Sequence, residues 1–334
     1  MPAMSGRPDS SRRLVQIGAG WISGYHLAAL DRLGRTQLVG VASGRLSSAQ
    51  ATAGPRGAAA YATADLELML DEQRPEIAFV AVPPSMAPAT LRPLIDRAIP
   101  FLTEKPLAAT DADAPVEIAA RIAERGLVAA VGYHLRGLDA LAEVRERLAA
   151  NPAHLLSARW FGPTPPPAWW RSETTGGGQV VEQATHFYDL ARLLMGEATV
   201  VGAASTQEVP PVPAGVDLVD ATAAVLRFES GAIGSFSNSR RLAASLVEIE
   251  LACADLLITI RKLEPLQTTW AVTFDDGSSL RTVPPGRDPY EVQAEAFLDA
   301  VDAGEPSRVL STYADAFRTD RLTRAVVAAT GRAG

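Results

Sequence analysis

The sequence predicts an α/β first part with a doubly wound parallel sheet and an α+β second part with a mainly antiparallel, open sheet. Three observations lead to this prediction. Apolar strands alternate with helices as far as residue 131, strands follow one another directly from residue 154, and 334 residues exceed one typical core. We therefore expect two domains, residues 1–133 and residues 134–334.

The first part repeats a strand-helix unit. Helical patterns occupy residues 22–33, 66–70, 87–98 and 112–125, and short apolar strands occupy residues 14–17, 37–42, 76–82, 99–102 and 127–131. The run at 76–82 is almost continuously apolar, as in a strand buried on both faces. Alternating units of this length predict parallel strands covered by helices.

The second part is dominated by extended segments. Strands are predicted at residues 154–161, 199–205, 217–228, 232–237, 246–252, 256–261 and 268–274, with a glycine turn at Gly231 that indicates a hairpin. Helices at residues 290–302 and 314–329 close the chain. This order predicts a mainly antiparallel sheet with helices on one face.

The composition limits the partners. The net charge is −7 and no long basic run occurs, so neither nucleic acid nor an anionic membrane surface is an expected partner. Cys253 is the only cysteine, which excludes an intrachain disulfide and a cysteine-rich zinc site. The N-terminal segment is polar, and no stretch reaches the ~18 apolar residues of a membrane span. We expect a cytoplasmic protein.

A glycine-rich turn follows the first strand and opens a helix. Gly18, Gly20, Trp21 and Ile22 form a G-x-G-x-x-G pattern in which Ser23 replaces the last glycine. The first glycine makes the turn, the second lets the backbone approach a pyrophosphate, and the helix N-terminus offers unpaired amides. The strand before it and the helix after it favour a dinucleotide site in a Rossmann domain.

The end of the second strand indicates which dinucleotide binds. NAD enzymes place an acidic residue there, whereas this chain has Ser43 and Arg45 and no carboxylate. A hydroxyl and a guanidinium suit a 2′-phosphate, so we predict NADP(H), with NAD(H) possible if Arg45 only faces solvent. Pro83 stops the strand 76–82 at the same edge and is a further predicted cofactor contact.

Lysine is rare in this chain. Lys105 and Lys262 are the only two lysines among 31 basic residues. Lys105 lies in Glu104-Lys105-Pro106, directly after a buried strand, and a lysine can shift its pKa and transfer a proton where an arginine cannot. The alternative is that Lys105 is an ordinary surface charge.

Three titratable residues have helical spacing. If the segment is helical, Glu182, His186 and Asp189 share one face at i, i+4 and i+7. An imidazole between two carboxylates is a plausible general acid/base with its orienting partners. A zinc site is less favoured because no third ligand set with metal spacing is visible, so we predict no metal. Exposed charges at an ordinary helix N-terminus are the other alternative.

Two tryptophans and an arginine precede a triple glycine. Trp169, Trp170 and Arg171 would suit a polyhydroxylated ring, because aromatic faces stack on sugar C–H surfaces and arginine donates forked hydrogen bonds. Core or interface packing explains the tryptophans equally well.

Together these motifs resemble the Gfo/Idh/MocA oxidoreductases, the family of glucose–fructose oxidoreductase and inositol dehydrogenase. The resemblance covers nearly the whole chain. It is carried by the glycine turn, by Glu104-Lys105-Pro106, by the segment 132–136, by the triple glycine with Glu182, His186 and Asp189, and by the closing helix from Tyr290.

The resemblance implies hydride transfer between NAD(P) and the hydroxyl or keto carbon of a sugar, sugar derivative or cyclitol bound between the domains. Lys105 would bind the substrate oxygen and, with Glu104, contact the cofactor. His186 would exchange the proton, Glu182 would orient His186, and Asp189 would bind a substrate hydroxyl. A homodimer or homotetramer is expected.

Several positions depart from the family pattern. Glu182 stands where the family usually has Asp, and His134, a predicted substrate contact, stands where it often has Asn. A histidine often found in the loop after Pro83 is missing. The same scaffold allows two alternatives. One is a glycosidase that uses bound NAD transiently, and the other is a dinucleotide sensor without activity.

Overall fold

The computed structural model describes residues 11–206, 215–263 and 269–331. The first ten residues of the polar N-terminal segment, and residue 268 of the last predicted strand, lie outside the described residues. Six parallel strands form the first sheet, in the order β3-β2-β1-β4-β5-β6: β1 (Arg12–Ile17), β2 (Thr36–Ser43), β3 (Ala59–Ala62), β4 (Ile77–Val80), β5 (Phe101–Thr103) and β6 (Ala129–Val131).

Helices cover both faces of this sheet. They are α1 (Trp21–Leu33), α2 (Leu46–Ala53), α3 (Leu66–Gln73), α4 (Ala87–Asp96) and α5 (Ala114–Arg125). One apolar cluster joins α1 to the sheet, and a second joins α3, α4 and α5 to its other side. All four residues of β4 are buried, as the uninterrupted apolar run predicted.

The second sheet has eight strands in the order β14-β13-β12-β11-β7-β10-β9-β8. They are β7 (Leu155–Pro163), β8 (Ala198–Thr206), β9 (Ala221–Phe228), β10 (Ile233–Ser239), β11 (Arg241–Ala252), β12 (Leu257–Lys262), β13 (Trp270–Asp275) and β14 (Leu280–Val283). Of the strand pairs in this sheet, as far as the chain is described, only β7–β10 is parallel. The predicted fold class is confirmed for both parts.

Helices cover one face of the second sheet. The remaining helices are α6 (Leu141–Ala150), α7 (Glu173–Gly176), α8 (Gly178–Glu182), α9 (Thr185–Met195), α10 (Pro289–Ala303) and α11 (Tyr313–Ala329). Side chains of α6, α9 and α11 form one apolar core with the inward residues of the strands. Burial alternates along β9 because successive side chains of a strand point to opposite faces.

The last two helices return toward the first sheet. Phe297 and Leu298 of α10 pack with Leu27 and Phe79, and Tyr313 of α11 packs in the other cluster of that sheet. The division at residue 133 stays a prediction, and residues 289–329 contact the first sheet although we predicted them in the second domain.

Of the helices and strands described, six were not predicted from the sequence: α2, β3, α6, α7, α8 and β14. Segments 46–53 and 59–62 consist mostly of alanine and small polar residues, so they carry little apolar periodicity. Their structure depends on docking against β2 rather than on their own pattern.

Candidate active site

The turn between β1 and α1 accepts only glycine at its first position. Gly18 has φ +97°, and a Cβ built on it would lie 2.0 Å from the carbonyl oxygen of Ala81. Gly20 precedes α1 with open space where its Cβ would be. Ser23 is buried and its hydroxyl donates to the Gly18 carbonyl at 2.9 Å. Ser23 therefore stabilises the turn through this hydrogen bond, although it replaces the last glycine of the pattern.

The other predicted cofactor residues surround this turn at the carboxyl edge of the sheet. Trp21 is 64% exposed and packs edge-on against Tyr25, at 4.8 Å between ring centroids. Ser43 ends β2 and is buried, whereas Arg45 is exposed and directly precedes α2. Ile22 and Pro83 are half-buried, in the first turn of α1 and shortly after β4.

Glu104 forms a buried pair with His26. Its Oε1 lies 2.7 Å from His26 Nε2, and a Cβ on Gly132 would come within 2.8 Å of the same oxygen. Burial acts to raise the pKa of Glu104, but the His26 bond and the nearby positive charges outweigh it and leave that pKa below the usual value. Glu104 is thus an ionised carboxylate under a tightly packed backbone.

Lys105 is held by Glu182. Its Nζ donates to Glu182 Oε1 at 2.7 Å and to the Glu182 carbonyl oxygen at 2.8 Å, and both side chains are largely buried. Burial raises the pKa of Glu182 to about 7, against the opposing charge and hydrogen bond of Lys105. The pair joins the second residue after β5 to the end of α8, across 77 positions of sequence.

Glu182, His186 and Asp189 do not share one helical face, because the segment is not one continuous helix. α8 ends at Glu182 and α9 begins at Thr185, so Glu182 and His186 belong to different helices. We predicted that Glu182 orients His186, but in the structure its carboxylate binds Lys105 instead. The interruption at Gln183 and Ala184 turns the glutamate toward the first sheet.

The ring of His186 is surrounded by aromatic side chains. Its ring stacks on Trp160 at 5.9 Å and meets His134 edge-on at 4.7 Å. Burial, followed by the charges of His134, Lys105 and Lys262, holds the pKa of His186 well below its usual value. His186 is therefore neutral at physiological pH and able to accept a proton.

His134 is a second neutral imidazole beside it. Its ring stacks on Tyr290 at 4.5 Å, with the planes 12° apart. Burial lowers the pKa of His134 to about 3, although the charge of Glu104 opposes the shift. The rings of His134 and His186 are thus in contact, and Lys105, whose charge lowers the pKa of both, completes what we call the histidine cluster.

Asp189 faces away from this cluster. It is 1% exposed, and Arg136 donates to both of its oxygens at 2.6 and 2.7 Å. The Thr319 hydroxyl adds a third bond at 3.1 Å. These contacts favour a structural role for Asp189, tying α9 to α11, over the predicted contact with substrate.

The tryptophan segment lies beside the nucleotide edge. Trp169 and Trp170 stack on each other at 4.8 Å between centroids and are half-buried, and Arg171 is exposed. The following helix, α7, packs against the turn after β4, residues 84–86. Because α7 also contacts residues 168–171, the tryptophan segment is linked through α7 to this turn; its contact with a sugar ring stays a prediction.

Two protein-family models match this chain. Residues 12–133 match the "Oxidoreductase family, NAD-binding Rossmann fold", and residues 152–256 match the "GFO/IDH/MocA C-terminal domain". The chain belongs to the Gfo/Idh/MocA family of oxidoreductases. The resemblance stated from the motifs is confirmed.

Curated relatives agree with this membership. Levoglucosan dehydrogenase of Pseudarthrobacter phenanthrenivorans is 22% identical, over 79% of this chain and 80% of its own length. The rhizopine catabolism protein MocA of Rhizobium meliloti is 27% identical, over 69% of this chain and 71% of its own. Myo-inositol 2-dehydrogenase of Thermotoga maritima is 29% identical, over 52% and 53%.

Solved structures share the fold. KijD10, a 3-ketoreductase from Actinomadura kijaniata in complex with NADP and TDP-benzene, superimposes with a TM-score of 0.82 at 19% identity, covering 96% of this chain and 98% of its own. UDP-N-acetylglucosamine 3-dehydrogenase GnnA from Acidithiobacillus ferrooxidans gives 0.78 at 21% identity, covering 96% and 97%.

Among the neighbours of the cluster in this Gfo/Idh/MocA member, Tyr133, Trp160, Tyr290 and Lys262 were not predicted as site residues; the Tyr133 ring meets that of His186 edge-on at 5.9 Å between centroids. Trp160 and Tyr290 stack on the two histidines, and the charge of Lys262 lowers the pKa of both. The scarcity of lysine was the only sequence signal that pointed at Lys262.

Among residues 11–206, 215–263 and 269–331, no group of three or more His, Cys, Asp or Glu side chains is arranged to hold a metal ion. Over the same residues, no helix is both long enough and apolar enough to cross a bilayer.

Proposed function

We propose that this oxidoreductase transfers a hydride between NADP(H) and a carbinol or ketone carbon of a sugar, sugar derivative or cyclitol. One observation carries the proposal. Lys105, two residues after β5, donates its Nζ to the carboxylate and to the carbonyl oxygen of Glu182, the last residue of α8, and His186 lies in the first turn of α9. This contact between two parts of the chain supports a shared site with a proton donor, Lys105, and a proton acceptor, His186.

The residues present fit a dinucleotide. Gly18 leaves no space for a side chain, Gly20 opens toward the outside, and no acidic residue occupies the first turn of α1. An anionic pyrophosphate suits such a helix start. The bound cofactor would supply the hydride acceptor or donor.

Side chains of the protein would accept and return the proton of the substrate hydroxyl. In oxidation, the neutral His186 takes the proton of the substrate hydroxyl as the hydride leaves the same carbon, and in reduction His186 returns a proton to the ketone oxygen. Lys105 turns its Nζ from Glu182 to the substrate oxygen and stabilises the charge that develops there. Glu182, with its pKa near 7, can relay a proton through Lys105.

We expect absorbance changes at the reduced-nicotinamide band when the protein is given NADP+ with a polyol, or NADPH with a ketosugar. A panel of hexoses, cyclitols and their keto forms, tested in both directions, measures this. A cofactor that stays bound through purification without net turnover would contradict the proposal and favour the glycosidase alternative. Binding of cofactor without reaction of any panel member would favour a sensor.

The preference for NADP(H) is proposed from the end of β2. Arg45→Ala is expected to raise KM for NADP+ by ~10–100-fold, because a hydrogen-bonded charge pair with the 2′-phosphate is lost, and to leave KM for NAD+ unchanged. Initial rates with each cofactor measure the effect. Arg56→Ala is the matched control, since Arg56 lies beyond the other end of α2 and pairs with Asp31. Equal losses for both cofactors would contradict the assignment.

A homodimer or homotetramer is proposed to form through the outer face of the second sheet. Val201, Val225 and Ile233 are exposed there beside small residues of β8, β9 and β10. A flat apolar face of this kind can pair with a second copy through a two-fold axis. Sedimentation that gives the mass of one chain would contradict it. A cytoplasmic location stays a prediction.

A further inference from the structure

Gln179, near the start of α8, is held in place by Asn238. Asn238, on β10, donates its side-chain amide to Gln179 Oε1 at 3.0 Å, and the two residues are 4% and 2% exposed. Within the described residues, Gln179 Nε2 has no hydrogen-bond partner. Buried polar groups are almost always hydrogen-bonded, to the protein, to water or to a ligand. The side chain of Gln179 is therefore fixed at one end and available for a hydrogen bond at the other.

Asn238 lies beside the tryptophan that supports His186. Asn238 and Phe236 are two positions apart on β10 and both are buried, and Phe236 belongs to the core that the helices cover, so Asn238 is on the same covered face. In the sheet Asn238 is paired with Trp160 of β7, and the ring of Trp160 stacks on His186 at 5.9 Å. Gln179 is thus bound to the strand position next to this tryptophan.

Gln179 is also close to Lys105 along the chain of contacts. Gln179 and Glu182 are three residues apart in α8, a spacing that places side chains on one helix face. Glu182 accepts from Lys105 Nζ at 2.7 Å through Oε1, and its Oε2 is buried without a partner in the part of the chain described. Gln179 therefore lies between the contacts of Lys105 and those of His186, the proposed proton donor and acceptor.

We propose that Gln179 determines substrate specificity by hydrogen-bonding a substrate hydroxyl other than the one that reacts. This inference rests on the proposed function. A neutral carboxamide donates through its nitrogen and accepts through its oxygen, and a hydroxyl does both, so the two groups match in either orientation of the amide. Lys105 and His186 serve the reacting oxygen, which leaves Gln179 for another hydroxyl of the same polyhydroxylated ring.

Burial makes this contact selective. A ligand that lacks the hydroxyl displaces water from the Gln179 amide without replacing its hydrogen bond, so the buried amide stays unpaired in that complex. Asn238 holds the amide in advance, so little side-chain freedom is lost when the ligand binds. We therefore expect Gln179 to affect which ligand binds.

The test is calorimetric binding of neutral ligands to the NADPH-loaded protein, in which an alcohol has no hydride acceptor and no turnover occurs. The ligands are myo-inositol and the methyl glycosides of glucose, galactose and mannose, each compared with its monodeoxy analogues. We expect wild type to bind one parent ligand ~10-fold more tightly than one of its analogues, and Gln179→Met to weaken that parent by ~10-fold while the analogue changes by less than ~2-fold.

Two further variants make the test specific. Asn238→Ala keeps the Gln179 amide but removes the bond that holds it; it should weaken the preference for the same hydroxyl, and it replaces Gln179→Met if that variant does not fold. Gln293→Met is the matched control. Gln293 is a buried glutamine on α10 whose amide has no partner among the described residues, and the hydrogen bond from Asn238 goes to Gln179 instead. Its replacement should leave the preference unchanged.

Three outcomes would overturn the inference. They are a wild type that binds none of these ligands or prefers no hydroxyl, a Gln179 variant that weakens parent and analogue equally, and a Gln293 variant that loses the same preference. Equal weakening would assign the Gln179 amide to a structural water.

The two proposals fail separately. Nicotinamide turnover of a polyol, with a hydroxyl preference that Gln179→Met leaves unchanged, keeps the proposed function and removes the role of Gln179. Hydroxyl-dependent binding that needs Gln179, without turnover of any ligand, supports the recognition site and contradicts the proposed hydride transfer.

Discussion

We expect Lys105→Met to lower kcat by ~10³-fold or more, because a contact that acts as general acid/base and stabilises charge typically contributes a factor of this size. Methionine keeps the length and the apolar stem of lysine, so it removes the ammonium while the packing stays. NADP(H) affinity should change by less than ~10-fold, since Lys105 is one of several predicted cofactor contacts and the pyrophosphate is expected at the glycine turn. Steady-state rates and fluorescence titration of NADPH measure the two effects.

The Lys105→Arg variant separates charge from proton transfer. Arginine keeps the positive charge but does not release its proton, so we expect it to stay at least ~10²-fold below wild type. A methionine variant within ten-fold of wild-type kcat would contradict a catalytic role for Lys105. An arginine variant with full activity would restrict that role to its charge.

Glu182, the partner of Lys105, should give the reaction a characteristic dependence on pH. Oxidation needs a group that accepts a proton, and Glu182 gains that ability as pH rises through its pKa of about 7. We therefore expect kcat/KM for oxidation to increase through this range in wild type and to lose this step in Glu182→Gln, which preserves the side-chain shape. The charges around Glu182 that set its pKa are Lys105 and Glu104.

His186→Asn is expected to lower kcat/KM by ~10²–10⁴-fold in both directions, because the proton of the substrate hydroxyl loses its acceptor. The loss should be in turnover and not in cofactor affinity. The pKa of His186 lies well below its usual value, so the wild-type imidazole is neutral over the working range and its titration adds no step near neutral pH. Initial rates from pH 6 to 9 measure this.

Two other histidines are the controls for His186. His134→Asn should cost less than His186→Asn, because His134 stacks on Tyr290 and occupies a position where the resembling family often has Asn. His154→Asn should leave kcat/KM unchanged, since that side chain is exposed just before β7. An Asn variant at position 134 that is more damaging than the one at 186 would assign the proton transfer to His134.

The dinucleotide half of the site was predictable because its information is local. Gly18, Gly20 and Ser23 lie within six consecutive residues, and a strand before them and a helix after them are enough to place the turn. The signal for Lys105 is local in the same way, because the residue stands two positions after β5. The structure added the reason for Gly18, because the carbonyl that excludes a side chain belongs to Ala81, the residue after β4, far along the chain.

The substrate half was only partly predictable. Glu182, His186 and Asp189 were predicted as one group, but their spacing could not reveal the break at Gln183 and Ala184. Each of the three residues has different partners: Lys105 for Glu182, Trp160 and His134 for His186, and Arg136 for Asp189. Each partner lies far along the sequence, where periodicity carries no information.

By itself, the amino-acid order determined the two kinds of sheet, the family and the glycine turn, since these follow from periodicity, steric limits and side-chain chemistry within short segments. Tertiary structure alone decided which charges are paired and which are buried. It set the protonation of Glu182, His134 and His186. The reason is physical: desolvation and pairing depend on what surrounds a group in space, and strand register places distant residues there.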